Sequence, residues 1–170
     1  MTKEKVIETG LRNASNRKEA EYDLVNSLLA ACEYKTEEVT EVEIRRDGRF
    51  FFRVFIHPLS EKEVRQARKK ATTYMKNPQG KNLPLIEKSF VAGTFKSWMI
   101  YLASTEDTQQ QIWGNPAVMQ AKELHEPWES VDYLLKLGEK NALLDKIFEI
   151  SGMNEDGEVV DQEEFQHEAD

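Results

Sequence analysis

DGRFFFRVFIHPLSEKEV, residues Asp47–Val64, decides the fold of this chain. Asp-Gly is a strong short-range hairpin signal, because a tight primed turn needs positive φ at both central residues. The residues before it, EVTEVEIRR (Glu38–Arg46), alternate: Val42 and Ile44 fall on one side, Glu41, Glu43 and Arg45 on the other. On the return strand the same period of two places Phe50, Phe52, Val54 and Ile56 on one face. Phe51, Arg53, Phe55 and His57 fall on the other. The first face is uniformly apolar and is predicted to seal the core. Pro58 then ends the strand, since it has no N–H for the ladder. Ser60 with Glu63 three residues on forms a capping box, the signature of a helix start.

That helix is predicted over Glu61–Lys76, with Val64, Ala67, Ala71, Tyr74 and Met75 as its buried stripe. Lys62, Arg65, Lys69 and Lys76 fall in a narrow sector nearly opposite, a solvent-facing basic ridge. Upstream, Tyr22, Val25, Leu28, Leu29 and Cys32 recur at helical spacing over about residues 17–33, so Cys32 is expected to be buried. Downstream, NPQGKNLPL (Asn77–Leu85) reads as a loop. Phe95, Trp98, Met99 and Leu102 stand at i, i+3, i+4 and i+7 of a further helix. STEDTQQQIW continues as a short helix, and Gly114-Asn115-Pro116 stops it and starts another. HEPWES repeats that device at Pro127. A last helix carries Leu143, Leu144, Ile147, Phe148 and Ile150 inward, with Gly152 as its stop. The predicted fold is α+β and mainly α-helical: one antiparallel hairpin near residues 39–57 followed by a multi-helix bundle of at least five helices. Its organisation is a loosely held N-terminus over 1–17, one globular domain over 18–153 and an acidic, mobile tail over 154–170.

Charge is unevenly placed. The formal net is -8, yet residues 44–81 carry 11 basic and 3 acidic side chains, and residues 149–170 carry 9 acidic and no basic ones. An acidic total argues against a dedicated nucleic-acid binder, although the 44–81 region keeps a nucleic-acid-binding or regulatory module as the alternative reading. The single cysteine excludes an intrachain disulfide. The longest apolar run, Trp98–Ala103, is far too short to span a bilayer, and MTKEKVIETGLRN lacks the apolar core of a signal peptide, so a cytoplasmic protein is expected. His57, His125 and His167 stand at no metal-ligand spacing, and no catalytic, cofactor or metal residues are predicted. The residues with interaction potential are Phe51, Arg53 and Phe55 on the outer face of the hairpin, Lys62, Arg65 and Lys69 on the ridge, and the break-flanking Trp113 and Trp128. Phe51 and Phe55 are either covered by another element or available to a partner; the two tryptophans are either hinge-packing core or interface anchors.

FRVFIHPLSEKEVRQARKKAT (Phe52–Thr72) resembles the strand–Pro-Leu–Ser/Thr-Glu–helix segment of the XkdN-like tail assembly chaperones of phages and phage-derived tail particles. FKSWMIYLASTEDTQQQIWGNP (Phe95–Pro116) and LGEKNALLDKIFEISG (Leu137–Gly152) are similar to that family's central region and closing helix. The likeness spans about residues 36–153, with Leu-Ser-Glu where Leu-Thr-Glu is common. The resemblance implies a non-enzymatic chaperone that binds the tape measure protein and keeps it soluble while the tail tube grows around it. It also implies absence from the finished particle, no cofactor, no membrane, and a tail tube partner reached through an extended frameshift product. It leaves open whether the chaperone forms homo-oligomers.

Overall fold

The computed structural model describes residues 23–34 and 38–153. The expected loose N-terminus over 1–17 and mobile tail over 154–170 lie outside the described residues. The chain divides into two units, Met1–Glu38 and Val39–Asp170. In the first, residues 23–34 form helix α1, as the spacing predicts. Leu24, Val25, Leu28 and Leu29 are all more than half exposed, and Cys32 is exposed rather than buried. Helical spacing thus fixed the element but not its cover.

The second unit starts with the hairpin. Strands β1 (Thr40–Arg46) and β2 (Arg49–Ile56) pair antiparallel through the Asp47-Gly48 turn. Both turn residues have positive φ, 50° and 77°, as the primed geometry requires. Ile44, Val54 and Ile56 are buried and Val42 and Phe52 pack against the same core. Phe50 departs from the period-two expectation. Ile44 pairs with Phe52 but Arg45 pairs with Phe50, so Phe51 is an extra, unpaired residue: a β-bulge. Beyond it the faces exchange, and Phe50 is 40% exposed instead of sealing the core.

Leu59, also buried, leads into α2 (Glu61–Ala71). The capping box forms as read: Ser60 Oγ accepts from the Glu63 N–H at 3.3 Å, and the Glu63 carboxylate accepts from the Ser60 N–H at 2.7 Å. Ser60→Ala is expected to cost about 1 kcal/mol of unfolding free energy, measured by urea denaturation, with an unchanged m-value. The helix stops five residues short of the predicted end. Thr72 and Thr73 are β-branched and favour extended backbone, and Thr72–Met75 forms β3, paired antiparallel with β4 (Ile86–Phe90). Tyr74 and Met75, expected in the buried stripe, are exposed on this second ribbon. Asn77–Leu85 is its connecting loop.

Helix α3 (Ala92–Ala103) is the centre of the unit, with Ser97, Trp98, Met99, Ile100 and Ala103 buried. It is also the main partner of α2. Short α4 (Glu106–Thr108) runs into a π-turn, Gln109–Trp113, closed by the Gly114 N–H on Gln109 O at 2.7 Å. A Cβ on Gly114 would sit 2.9 Å from that same oxygen, so the turn closes only on glycine. Then follow α5 (Pro116–Ala121) capped by Asn115, a 3-10 turn at Pro127–Glu129, α6 (Ser130–Leu134) and α7 (Leu137–Ile150). Leu143, Leu144 and Ile147 of α7 close the core. Lys140 is buried too. Its ammonium donates to Gly93 O at 3.0 Å and pairs with Asp132 at 2.6 Å, tying α7 to the start of α3 and to α6. Gly152, at φ 68°, ends α7, and the Met153 N–H returns to Phe148 O at 2.9 Å. The fold is α+β and mainly helical, with two small antiparallel sheets rather than one.

Candidate partner-binding groove

Strand β2 has two edges. β1 occupies one. On the other, the His57 N–H donates to Ala103 O at 2.8 Å, the Thr105 N–H donates to Phe55 O at 2.9 Å, and the Phe55 N–H donates to Thr108 Oγ1 at 3.1 Å. Residues 103–108 therefore cover the end of the strand. By the period of two, the N–H and C=O of Arg53 point to this same edge, ahead of where that cover begins. Here the surface opens into a groove of about 670 Å3. Phe50, Phe51 and Phe55 line it from the hairpin, and Thr108 and Ile112 from the α4–π-turn segment, with Arg53 and Asp107 as its charged members.

The bulge arranges the aromatic rings. Arg45 and Arg53 stand over the Phe50 ring at 5.7 and 5.3 Å; Arg46 and Arg49 stand over Phe51 at 5.0 and 5.2 Å. Phe50, not Phe51, is thus the companion of Arg53. Each guanidinium contact is worth about 0.5–1 kcal/mol at an exposed site. They hold the rings upright in water without covering them, and Phe51 remains 45% exposed. Phe55 is half-buried.

Three of the four arginines of the hairpin are also matched with carboxylates. Arg53 pairs with Glu41 at 2.9 Å and Arg45 with Glu43 at 2.7 Å. Arg46 makes a fork to Glu139, both N···O distances 2.8 Å, and donates to Leu134 O at 2.7 Å. These pairings withdraw three of the cations on which a nucleic-acid reading of 44–81 would draw. The Arg46 hydrogen bond, assisted by the Lys136 N–H, holds the Glu139 carboxyl down to about 2. A carboxyl whose folded pKa is depressed adds stability above its unfolded value, near 4.5, and loses it as pH falls towards 2. Thermal melts from pH 6 to pH 2 are expected to show a fall in Tm across that window, and Glu139→Gln to remove part of the fall.

Of the other residues picked from sequence, Lys62, Arg65 and Lys69 are exposed on α2 as expected. Lys76 lies past the helix end and does not extend the ridge. Trp113 is fully buried, its ring edge-on to Phe52 at 6.3 Å and its Nε1–H on Ser104 Oγ at 2.8 Å. It belongs to the core and is removed from the set of partner contacts. Trp128 is half-buried, stacked on Trp98 at 5.6 Å with its Nε1–H on Glu126. Among groove residues, sequence reasoning missed Phe50, Thr108 and Ile112. An unbroken alternation hid the first. The others lie on a segment read only as a short helix, where the Thr105/Thr108 hydroxyl pair was the one usable signal.

Among the described residues no cluster of His, Cys, Asp and Glu could hold a metal ion, and no helix is long and apolar enough to cross a membrane. The arrangement offers contact surface: exposed rings beside an open strand edge, on a strongly charged body. No curated protein and no solved structure matches the chain. The family model of the phage XkdN-like tail assembly chaperone protein, TAC, matches residues 25–165, which takes in most of α1 and every element from β1 to α7. The chain belongs to this family of tail assembly chaperones.

Proposed function

We propose that this tail assembly chaperone holds the tape measure protein soluble, gripping it through the groove beside Phe50, Phe51 and Phe55. One observation carries the reading: two phenylalanines, 40% and 45% exposed, stand at a groove on a chain of this family. Full burial of such a ring is worth roughly 1.5–3 kcal/mol, and the part still in water, a little under half of each ring, is what a bound apolar segment would recover. The rings suit the apolar stripe of an amphipathic client helix, and Arg49, which among the described residues has no carboxylate within ion-pair distance, is left to meet an acidic side chain of that helix. A formal net charge of -8 keeps the chaperone from associating with itself meanwhile. The work is done in the host cytoplasm, without cofactor, and the chaperone leaves before the particle is complete. A frameshifted, longer product would bring tail tube subunits to the same client.

Co-expression with the tape measure protein of the same particle is the test. The client is expected to stay soluble and to co-purify with the chaperone, while the purified particle contains none of it. A client that remains insoluble, or a chaperone retained in finished tails, would overturn the proposal. Binding to duplex or single-stranded nucleic acid that falls steeply with salt would favour the alternative module.

A further inference from the structure

The basic ridge of α2 is left over by the groove. Lys62, Arg65 and Lys69 stand at i, i+3 and i+7 on its exposed side. Among the described residues neither lysine has a carboxylate within ion-pair distance, and Arg65 has only Glu61, 3.8 Å away. Several cations elsewhere in this unit are matched, among them Arg46 with Glu139, Arg53 with Glu41, Lys140 with Asp132 and Lys146 with Glu149. The ridge carries a row of exposed positive charge, about 10 Å long at the helical rise, in which only Arg65 has a carboxylate within ion-pair distance.

The complementary charge is in the same chain. Residues 154–170 hold 8 acidic side chains and no lysine or arginine. The described chain leaves α7 at Met153, and its last turn is fastened to the foot of α2. The Leu59 N–H donates to Ser151 Oγ at 2.9 Å, and Leu59 stands two residues before α2 begins at Glu61. The acidic segment thus follows a turn that is fastened at Leu59, three residues before Lys62. Its 17 residues reach as far as ~56 Å when extended, well beyond the length of the ridge. Tethering at such short range gives an effective concentration on the order of millimolar, so even a weak attraction between exposed charges holds a substantial population docked.

From this geometry we infer that the acidic segment 154–170 docks along Lys62, Arg65 and Lys69 of its own chain, masking the ridge as an acidic peptide in cis. Val159, Val160 and Phe165 within the segment supply apolar contacts to the exposed lysine and arginine stems. A consequence, resting on the client reading above, is that the segment competes with any acidic stretch of a client for the ridge of α2. The docking itself does not depend on a client.

Zero-length carbodiimide cross-linking of the full chain, read by mass spectrometry, tests it without a partner. A 1:1 mixture of 14N- and 15N-labelled protein separates links within a chain from links between chains. Links from Glu155–Glu164 to Lys62 and Lys69 within one chain are expected at 20 mM salt, falling about five-fold at 500 mM as the charges are screened. Arg65→Glu reverses a central charge without removing either reactive amine, and is expected to lower the same links about as much; Arg65→Lys is expected to retain them. Links spread evenly over Lys96, Lys122 and Lys136, or insensitive to salt and to Arg65→Glu, would overturn the inference. Mixed-isotope links alone would make the occupant a second copy, and would overturn docking in cis. Failure of client capture leaves every one of these readouts intact.

Discussion

Trp113→Ala is expected to lower the unfolding free energy by about 3–5 kcal/mol, the range for removing a fully buried large aromatic. The indole is 0% exposed and fills the space between the hairpin and the α4–π-turn segment. Its loss removes the edge-on contact with Phe52, leaves a cavity, and takes away the donor that Ser104 Oγ accepts from. The surroundings have little freedom to close in. Ser104 donates onward to Ile100 O at 2.7 Å, and Ser130 Oγ donates to the Trp113 carbonyl at 2.6 Å, so both walls are fixed by hydrogen bonds. Trp113→Phe keeps most of the volume and loses the Nε1–H bond, and is expected to cost about half as much or less. Urea denaturation followed by circular dichroism is the measurement, since Trp98 and Trp128 would confuse a fluorescence signal. A loss below about 1 kcal/mol for Trp113→Ala would show that the indole does not hold the hairpin to the helices.

The second large effect is on binding rather than folding. Phe50→Ser with Phe51→Ser is expected to weaken capture of the tape measure protein by about 10- to 100-fold, as expected for exposed aromatic anchors at the centre of an interface. Stability should fall by no more than ~2–4 kcal/mol, since four cation–π contacts and partly exposed ring surface are lost. The contrast with Phe52→Ala is diagnostic. Phe52 is packed against the core, so its replacement should cost stability first and affinity only through unfolding. Affinity measured by titration of the soluble chaperone, with a urea melt of each variant, separates the two. Unchanged capture by the Phe50/Phe51 variant would remove the groove as the gripping surface and leave the family membership untouched.

Much of this architecture was legible because local chemistry dictated it. Asp47-Gly48 required a hairpin, Ser60 with Glu63 required a helix start, and Asn115-Pro116 and Gly152 marked helix limits that the structure keeps. What escaped was set by longer-range choices. Residues 72–75 continue the helical pattern of α2 well enough, and only pairing with Ile86–Phe90 makes them a strand. The bulge at Phe51 breaks a perfect alternation, and the Arg46–Glu139 fork, 93 residues apart in sequence, fastens the hairpin tip beside it. Trp113 looked like a hinge or an anchor; a π-turn turns it inward, and no propensity announces that turn. Of the candidate site, Arg53, Phe51 and Phe55 were visible as an apolar and basic outer face. The opposite wall came from residues about 50 positions away, which only the tertiary structure brings near.

The ribbon holds one residue more than its pairing uses. With Phe51 deleted, Phe52 would still meet Ile44, Phe50 would still meet Arg45 and Arg49 would still meet Arg46. Every neighbour would keep its side of the sheet, and only the local twist and one ring would go. On the proposed role of the groove, Phe51 is therefore the position where its surface can be altered, by substitution or by outright excision, while the scaffold beneath keeps its register.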